Sequence, residues 1–238
     1  MQDNTNMTEI ITAKEDKDKI VYSLIVSCFF IIILWLVKLT EELFSISFSS
    51  FGVYPGDLWG LKGVIFSPFI HGDFSHLISN TPSLFVGMFA MLYFYRSSAY
   101  KVLLIVWVLT GLMVWFVGRP SYHIGASGIV YGLISFIFFS GVIRKDKRAV
   151  GLSLLMVFLY GGLVWGVLPL KEDVSFESHL FGALVGLGCA VIFRKSDPPR
   201  KYEWEEEEQE DEDTGDDEDD GIDPDEVKID DDAEPKYF

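Results

Sequence analysis

Between Asp73 and Asp146 the sequence has no acidic residue, although the chain carries 35 Asp and Glu in 238 positions. That gap spans its most apolar stretches, so the two membrane carboxylates of an intramembrane aspartyl protease are missing. None of the four His is followed by Glu, so a His-Glu-x-x-His zinc site is missing too. Cysteine is scarce: Cys28 and Cys189 each lie inside an apolar run, read as small buried hydrophobes, and say nothing about redox compartment. The first apolar run is not followed by a small-residue cleavage site, and it is expected to be a retained helix rather than a cleaved signal peptide. No metal, organic cofactor or nucleic-acid partner is implied.

What is present is apolar. Half of the residues are hydrophobic, with 20 Phe and 6 Trp, and they are concentrated in long runs. A bilayer core needs about 20 apolar residues as helix. Six runs qualify as candidates: 20–38, 76–95, 100–118, 127–142, 149–170 and 178–194. The fourth has 16 residues, and at about 1.5 Å rise per residue it falls short of the hydrocarbon thickness, so one of its ends should lie below the surface. The net charge of −16 is misleading, because residues 203–238 hold 21 of the acidic residues and two Lys, leaving +3 for the rest. The expected organisation is a cytoplasmic N-terminal segment (1–19), an all-α six-helix membrane domain (20–195) and a disordered acidic cytoplasmic tail (196–238). Thirteen Lys and Arg flank the spans on the side of the termini and four on the other, which predicts both termini in the cytoplasm. Residues 39–70 are too apolar for a solvated loop and too broken by Gly and Pro for a span; they are expected to dip into the membrane beside the bundle.

The second, fourth and sixth runs descend from the outer face, so their first residues lie at similar depth. There they present His76 with Asn80 one turn later, Ser127 within Gly125-Ala126-Ser127-Gly128, and His179. Polar groups at membrane depth are usually functional. Serine needs an adjacent base to act as a nucleophile, and neutral imidazole supplies one. The Ser127 backbone N–H, the His76 ring and the Asn80 amide are candidate donors to an oxyanion. Gly182 and Gly186, four apart, permit close approach of the sixth helix to the fourth. With no acid expected in the sixth helix, the unit reads as a dyad rather than a triad, and Tyr131, one turn after Ser127, could pack its ring on His179.

These residues resemble the rhomboid family of intramembrane serine proteases. His71-x4-His76-x3-Asn80 is similar to the family's second-helix motif, Gly125-Ala126-Ser127-Gly128 to its nucleophile motif, and His179-x2-Gly182-x3-Gly186 to its sixth-helix motif. The resemblance covers residues 20–195 and implies Ser127 as nucleophile, His179 as general base, and His76 and Asn80 at the oxyanion. It also implies that His71 holds the loop before the second helix, that Tyr131 stacks on the catalytic His, and that 171–177 caps the site. The chain departs from the family at Ser178, where Ala is frequent, and at Trp59-Gly60, where a Trp-Arg pair is typical. His123 has no place in the motifs and reads as an interfacial residue.

The expected function is cleavage of transmembrane protein substrates near the outer face of a lipid bilayer, through an acyl-enzyme. The expected location is a bacterial cytoplasmic membrane, since no transit-like segment is seen; oligomeric state is not legible. Two alternatives stand beside it. A catalytically inactive relative that binds membrane clients would usually lack the Ser or the His. A transporter would show charged residues or broken helices near the midplane, whereas the polar groups here lie at one end of three helices.

Overall fold

A computed structural model describes the backbone of residues 3–159, 165–169 and 174–197. Among these residues there is no strand, only one isolated bridge between Val53 and His123. The longer helices are α1 (Asp3–Phe44), α2 (Phe74–Phe94), α3 (Ala99–Val117), α4 (Ser127–Arg144), α5 (Lys147–Leu159) and α6 (Phe176–Ile192). Among the described residues, four helical stretches, Lys14–Phe44 and the whole of α2, α3 and α4, are long and apolar enough to cross a membrane. With 13 and 17 residues, α5 and α6 are shorter.

Helix α1 outruns its apolar stretch at both ends. No Gly or Pro interrupts the chain before Gly52, and Lys14, Glu15, Lys17 and Lys19 before the apolar run are good helix formers. It stops where Ser45 turns left-handed at φ 52° and the Glu41 carboxylate accepts the Phe48 N–H at 2.6 Å. From there to Ile70 the chain runs through short 3-10 turns and one α-turn at Gly63–Phe66, as the spacing of its Gly and Pro predicts. Asp73 caps α2 by accepting the His76 N–H at 2.7 Å. Two expectations need correction. The run 149–170 is not α-helical throughout: α5 is described as far as Leu159, and Trp165–Val167 is a 3-10 turn, with residues 160–164 outside the described segments. Cys28 is exposed and only Cys189 is buried, because an apolar run in a peripheral membrane helix turns much of its surface toward lipid rather than toward protein.

Helix α4 is the centre of the molecule. Most of its residues are buried, its Phe136 and Leu133 completely, as expected of a helix that is apolar all round. It is closest to α6. A Cβ on Gly182 would overlap the Gly128 carbonyl, and one on Gly186 would overlap that of Gly132. Along the same seam the Ser135 hydroxyl donates to the Ala183 carbonyl at 2.7 Å. Two small-residue pairs four apart thus let two backbones meet, which larger side chains would prevent. Gly188, on the same helix, has open space around it. Replacing Gly186 by Ala is therefore expected to destabilise the purified protein by about 1–3 kcal/mol. Gly188→Ala should be neutral or mildly stabilising. Reversible unfolding in mixed detergent checks both; equal effects would mean that the seam is not a tight contact.

Candidate active site

Ser127 is the first residue of α4. The chain reaches it through Gly125, whose φ of +105° suits glycine. Glycine is also required there by space, since a Cβ would lie 2.8 Å from Cε1 and 2.9 Å from Nε2 of His76. Two bonds hold this loop in depth. The Gly125 N–H donates to the Ser67 carbonyl at 2.9 Å, and the Ala126 N–H reaches His71 Nε2 at 3.4 Å. His71 is buried, with its ring edge-on to His76 at 5.1 Å. The segment before α2 and the segment before α4 are thus tied together at His71.

His179 lies in the first turn of α6 and is buried. Its Nδ1 is 2.7 Å from the Gly166 carbonyl. A carbonyl only accepts, so Nδ1 carries the proton and, in the neutral ring, Nε2 is left as a proton acceptor. The Tyr131 ring stacks on the imidazole at 4.2 Å, with 13° between the planes. Gly166 was not singled out in the sequence. A Cβ there would overlap the Tyr131 hydroxyl and lie 3.0 Å from His179 Nδ1, so this strand of chain can cross the two rings only as glycine.

Ser127, His179, His76, Asn80 and Tyr131 all line one cavity of about 1010 Å³. No hydrogen bond between Ser127 and His179 is present; they share the cavity wall without one, as is common before a substrate arrives. Asn80 is buried, and its Nδ2 meets no acceptor among the described residues. Nδ2 is itself shielded, so the amide meets an oxygen arriving with a substrate only by turning into the cavity that Asn80 lines. Gly128 and Gly182 set the separation of α4 and α6 just beside the two candidate catalytic residues. Together, a hydroxyl at a helix N-terminus, an acceptor imidazole and an unmet amide donor can perform acyl transfer.

A family model for the Rhomboid domain matches residues 55–196, which contains every residue of this cavity wall. The chain belongs to the rhomboid family. An uncharacterized protein of Mycobacterium tuberculosis is 34% identical over 181 residues, covering 72% of this chain and 75% of that protein. One of Mycobacterium leprae is 32% identical over 182 residues, covering 72% and 71%. A protein of Acanthamoeba polyphaga mimivirus, named as a rhomboid protein, is 26% identical over 132 residues, covering 52% and 71%. The family is generally one of serine intramembrane proteases, and with its apolar helices this rhomboid is an integral membrane protein.

One expectation about this rhomboid site changes, and Arg119 and His123 gain partners that the sequence did not reveal. The sixth helix does contain an acid: it begins at Phe176, two residues before the expected start, and so takes in Glu177. Glu177 is buried against Arg119, which the sequence offered only as one of four outer basic residues. His123, expected at the interface, is buried within the protein, with both ring nitrogens engaged. Of the expected cap at 171–177, residues 171–173 lie outside the described segments, as does the tail from 198 onward. In protein labelled with 15N-histidine, the His179 ring is expected to show the Nδ1–H tautomer by NMR. Gly166→Ala, by displacing the acceptor, should return it toward the Nε2–H form. An Nε2–H ring in the unmodified protein would refute this geometry.

Proposed function

We propose that this rhomboid is an intramembrane serine endopeptidase. The observation that carries the reading is the state of His179, fixed by the Gly166 carbonyl and the Tyr131 ring so that Nε2 is an acceptor in the cavity that Ser127 lines. Ser127 Oγ attacks the scissile carbonyl while His179 Nε2 takes its proton. The oxyanion is held by the Ser127 backbone N–H at the start of α4, the Asn80 amide and the His76 ring. His179 then returns the proton to the leaving amine, and the acyl-enzyme is hydrolysed by water with the same base. His71 keeps the loop before α2 against the loop before Ser127.

The substrate is a transmembrane segment of another protein, unwound locally and cut near the outer face. The topology proposed for this work is a six-helix bundle in which α5 and α6 join the four longer helices and residues 39–70 dip into the membrane. The excess of Lys and Arg on one side supports cytoplasmic termini, and the mycobacterial relatives are consistent with a bacterial membrane.

Labelling of the detergent-purified protein with a fluorophosphonate probe tests the reading. Ser127→Ala should abolish labelling, and His179→Ala should slow it by about 10³-fold or more. Asn80→Ala should lower the cleavage rate of a transmembrane reporter substrate by about 10²-fold. A folded wild-type protein that neither labels nor cleaves would favour a catalytically inactive rhomboid that binds membrane clients.

A further inference from the structure

The wall of the same cavity also holds a half-buried polar network, with Arg119, His123 and Ser175 in its lining, that the Ser-His chemistry does not use. Arg119 stands at the start of the loop leading to Ser127, and Glu177 is two residues before His179. The Arg119 Nε donates to Glu177 Oε1 at 2.7 Å and its Nη2 to Oε2 at 3.3 Å. The Arg119 backbone N–H adds a third bond to Oε1 at 3.2 Å, and Nη2 also meets the Val174 carbonyl at 2.8 Å. Its guanidinium lies over the Phe176 ring at 5.1 Å. One carboxylate of α6 is thus gripped by both the side chain and the backbone of the nucleophile loop, in the fork geometry that suits guanidinium and carboxylate.

A second link runs parallel to the first. His123 Nε2 donates to the Arg119 carbonyl at 3.0 Å, which leaves Nδ1 to accept the Ser175 hydroxyl at 2.6 Å. Burial holds the His123 ring below the ordinary imidazole pKa, in keeping with that neutral form. Ser175 is the N-cap of α6, and its oxygen accepts the Ser178 N–H at 3.3 Å. The same loop is pinned from behind, where His123 and Val53 exchange backbone bonds of 2.8 and 3.0 Å. Both links therefore join the segment that delivers Ser127 to the first turn that carries His179. The glycine seam between α4 and α6 begins at this same end, with Gly128 against Ser178, but small residues leave the rotation and slide of the two helices open.

We propose that Arg119 and Glu177, with His123 and Ser175 as a second clasp, are positioning residues that latch the Ser127 loop to the first turn of α6 and set the Ser127–His179 separation. The latch rests on the hydrolytic reading of those two residues. It touches neither the reacting carbonyl nor its proton. Its effect is on the rate of the chemical step, because misplacement by about 1 Å can slow a positioned reaction by about 10²-fold.

The test measures fluorophosphonate labelling of the full chain in detergent over a range of probe concentrations, giving a maximal rate and a half-saturating concentration. Glu177→Gln and Arg119→Ala are expected to lower the maximal rate by about 10–100-fold, with half-saturation within about twofold of wild type. Arg119→Lys should recover part of the rate, as a cation without the fork. The double variant Arg119→Ala/Glu177→Gln should be no slower than the slower single variant. If Glu177→Gln does not stay folded at the assay temperature, Ser175→Ala opens only the second clasp and is expected to slow labelling at unchanged half-saturation. Wild-type rates in Glu177→Gln, or in Ser175→Ala where that variant stands in, would overturn the latch; so would multiplied losses in the double variant. An unlabelled but folded wild type would overturn the hydrolytic reading first, and the latch with it.

Discussion

Gly182 and Gly186 of α6 face the carbonyls of Gly128 and Gly132 on α4 so closely that neither could carry a Cβ. Everything at the site inherits its scale from that contact. Membrane helices gain little from hiding apolar surface from one another, because lipid is as apolar as the neighbour; they associate by packing and by interhelical hydrogen bonds. Four glycines supply the packing here, and the Ser135 hydroxyl on the Ala183 carbonyl supplies a bond along the same line. Closeness at this seam puts the first residue of α4 and the first turn of α6 in one cavity wall.

The seam alone sets a distance between axes, not the attitude of a ring. That attitude comes from groups that are irregular in the backbone. Gly166 presents a carbonyl to His179 Nδ1 from a short 3-10 turn, and Gly125 brings the loop before Ser127 against His76 in a left-handed conformation. Irregular backbone at membrane depth is tolerated only where protein or water meets its polar groups. Here protein does so: Ser67 receives the Gly125 N–H, His71 the Ala126 N–H, and Val53 pairs with His123.

Much of this was legible in the sequence, for identifiable reasons. Apolar runs announce helices whatever their neighbours are, and a His, an Asn and a Ser at the heads of three runs stand out because polar groups are costly there. What escaped was set by tertiary contact. Glu177 lies one residue outside the apolar run of the sixth helix, so the apolar pattern does not reveal an acid beside the candidate site. Gly166 contributes a carbonyl, and every residue has one; only its position makes it the partner of His179. Cys28 was misjudged because apolar sequence does not distinguish burial in protein from exposure to lipid.

The polar network at Arg119 and Glu177 also fits this division of labour. An ion pair with one half-exposed partner is weak evidence for stability, because water screens the Arg119 charge while the buried carboxylate has lost hydration. What it offers over an apolar contact is direction. The Arg fork accepts one carboxylate orientation, and the backbone N–H of Arg119 fixes the loop as well as the side chain. Glycines bring α4 and α6 together without specifying rotation or slide, since small residues leave a smooth surface. Directional bonds at the site end then remove the remaining freedom where an error of a fraction of an ångström matters most. In this rhomboid the close seam and the polar links thus act on different coordinates of one arrangement, and neither can substitute for the other.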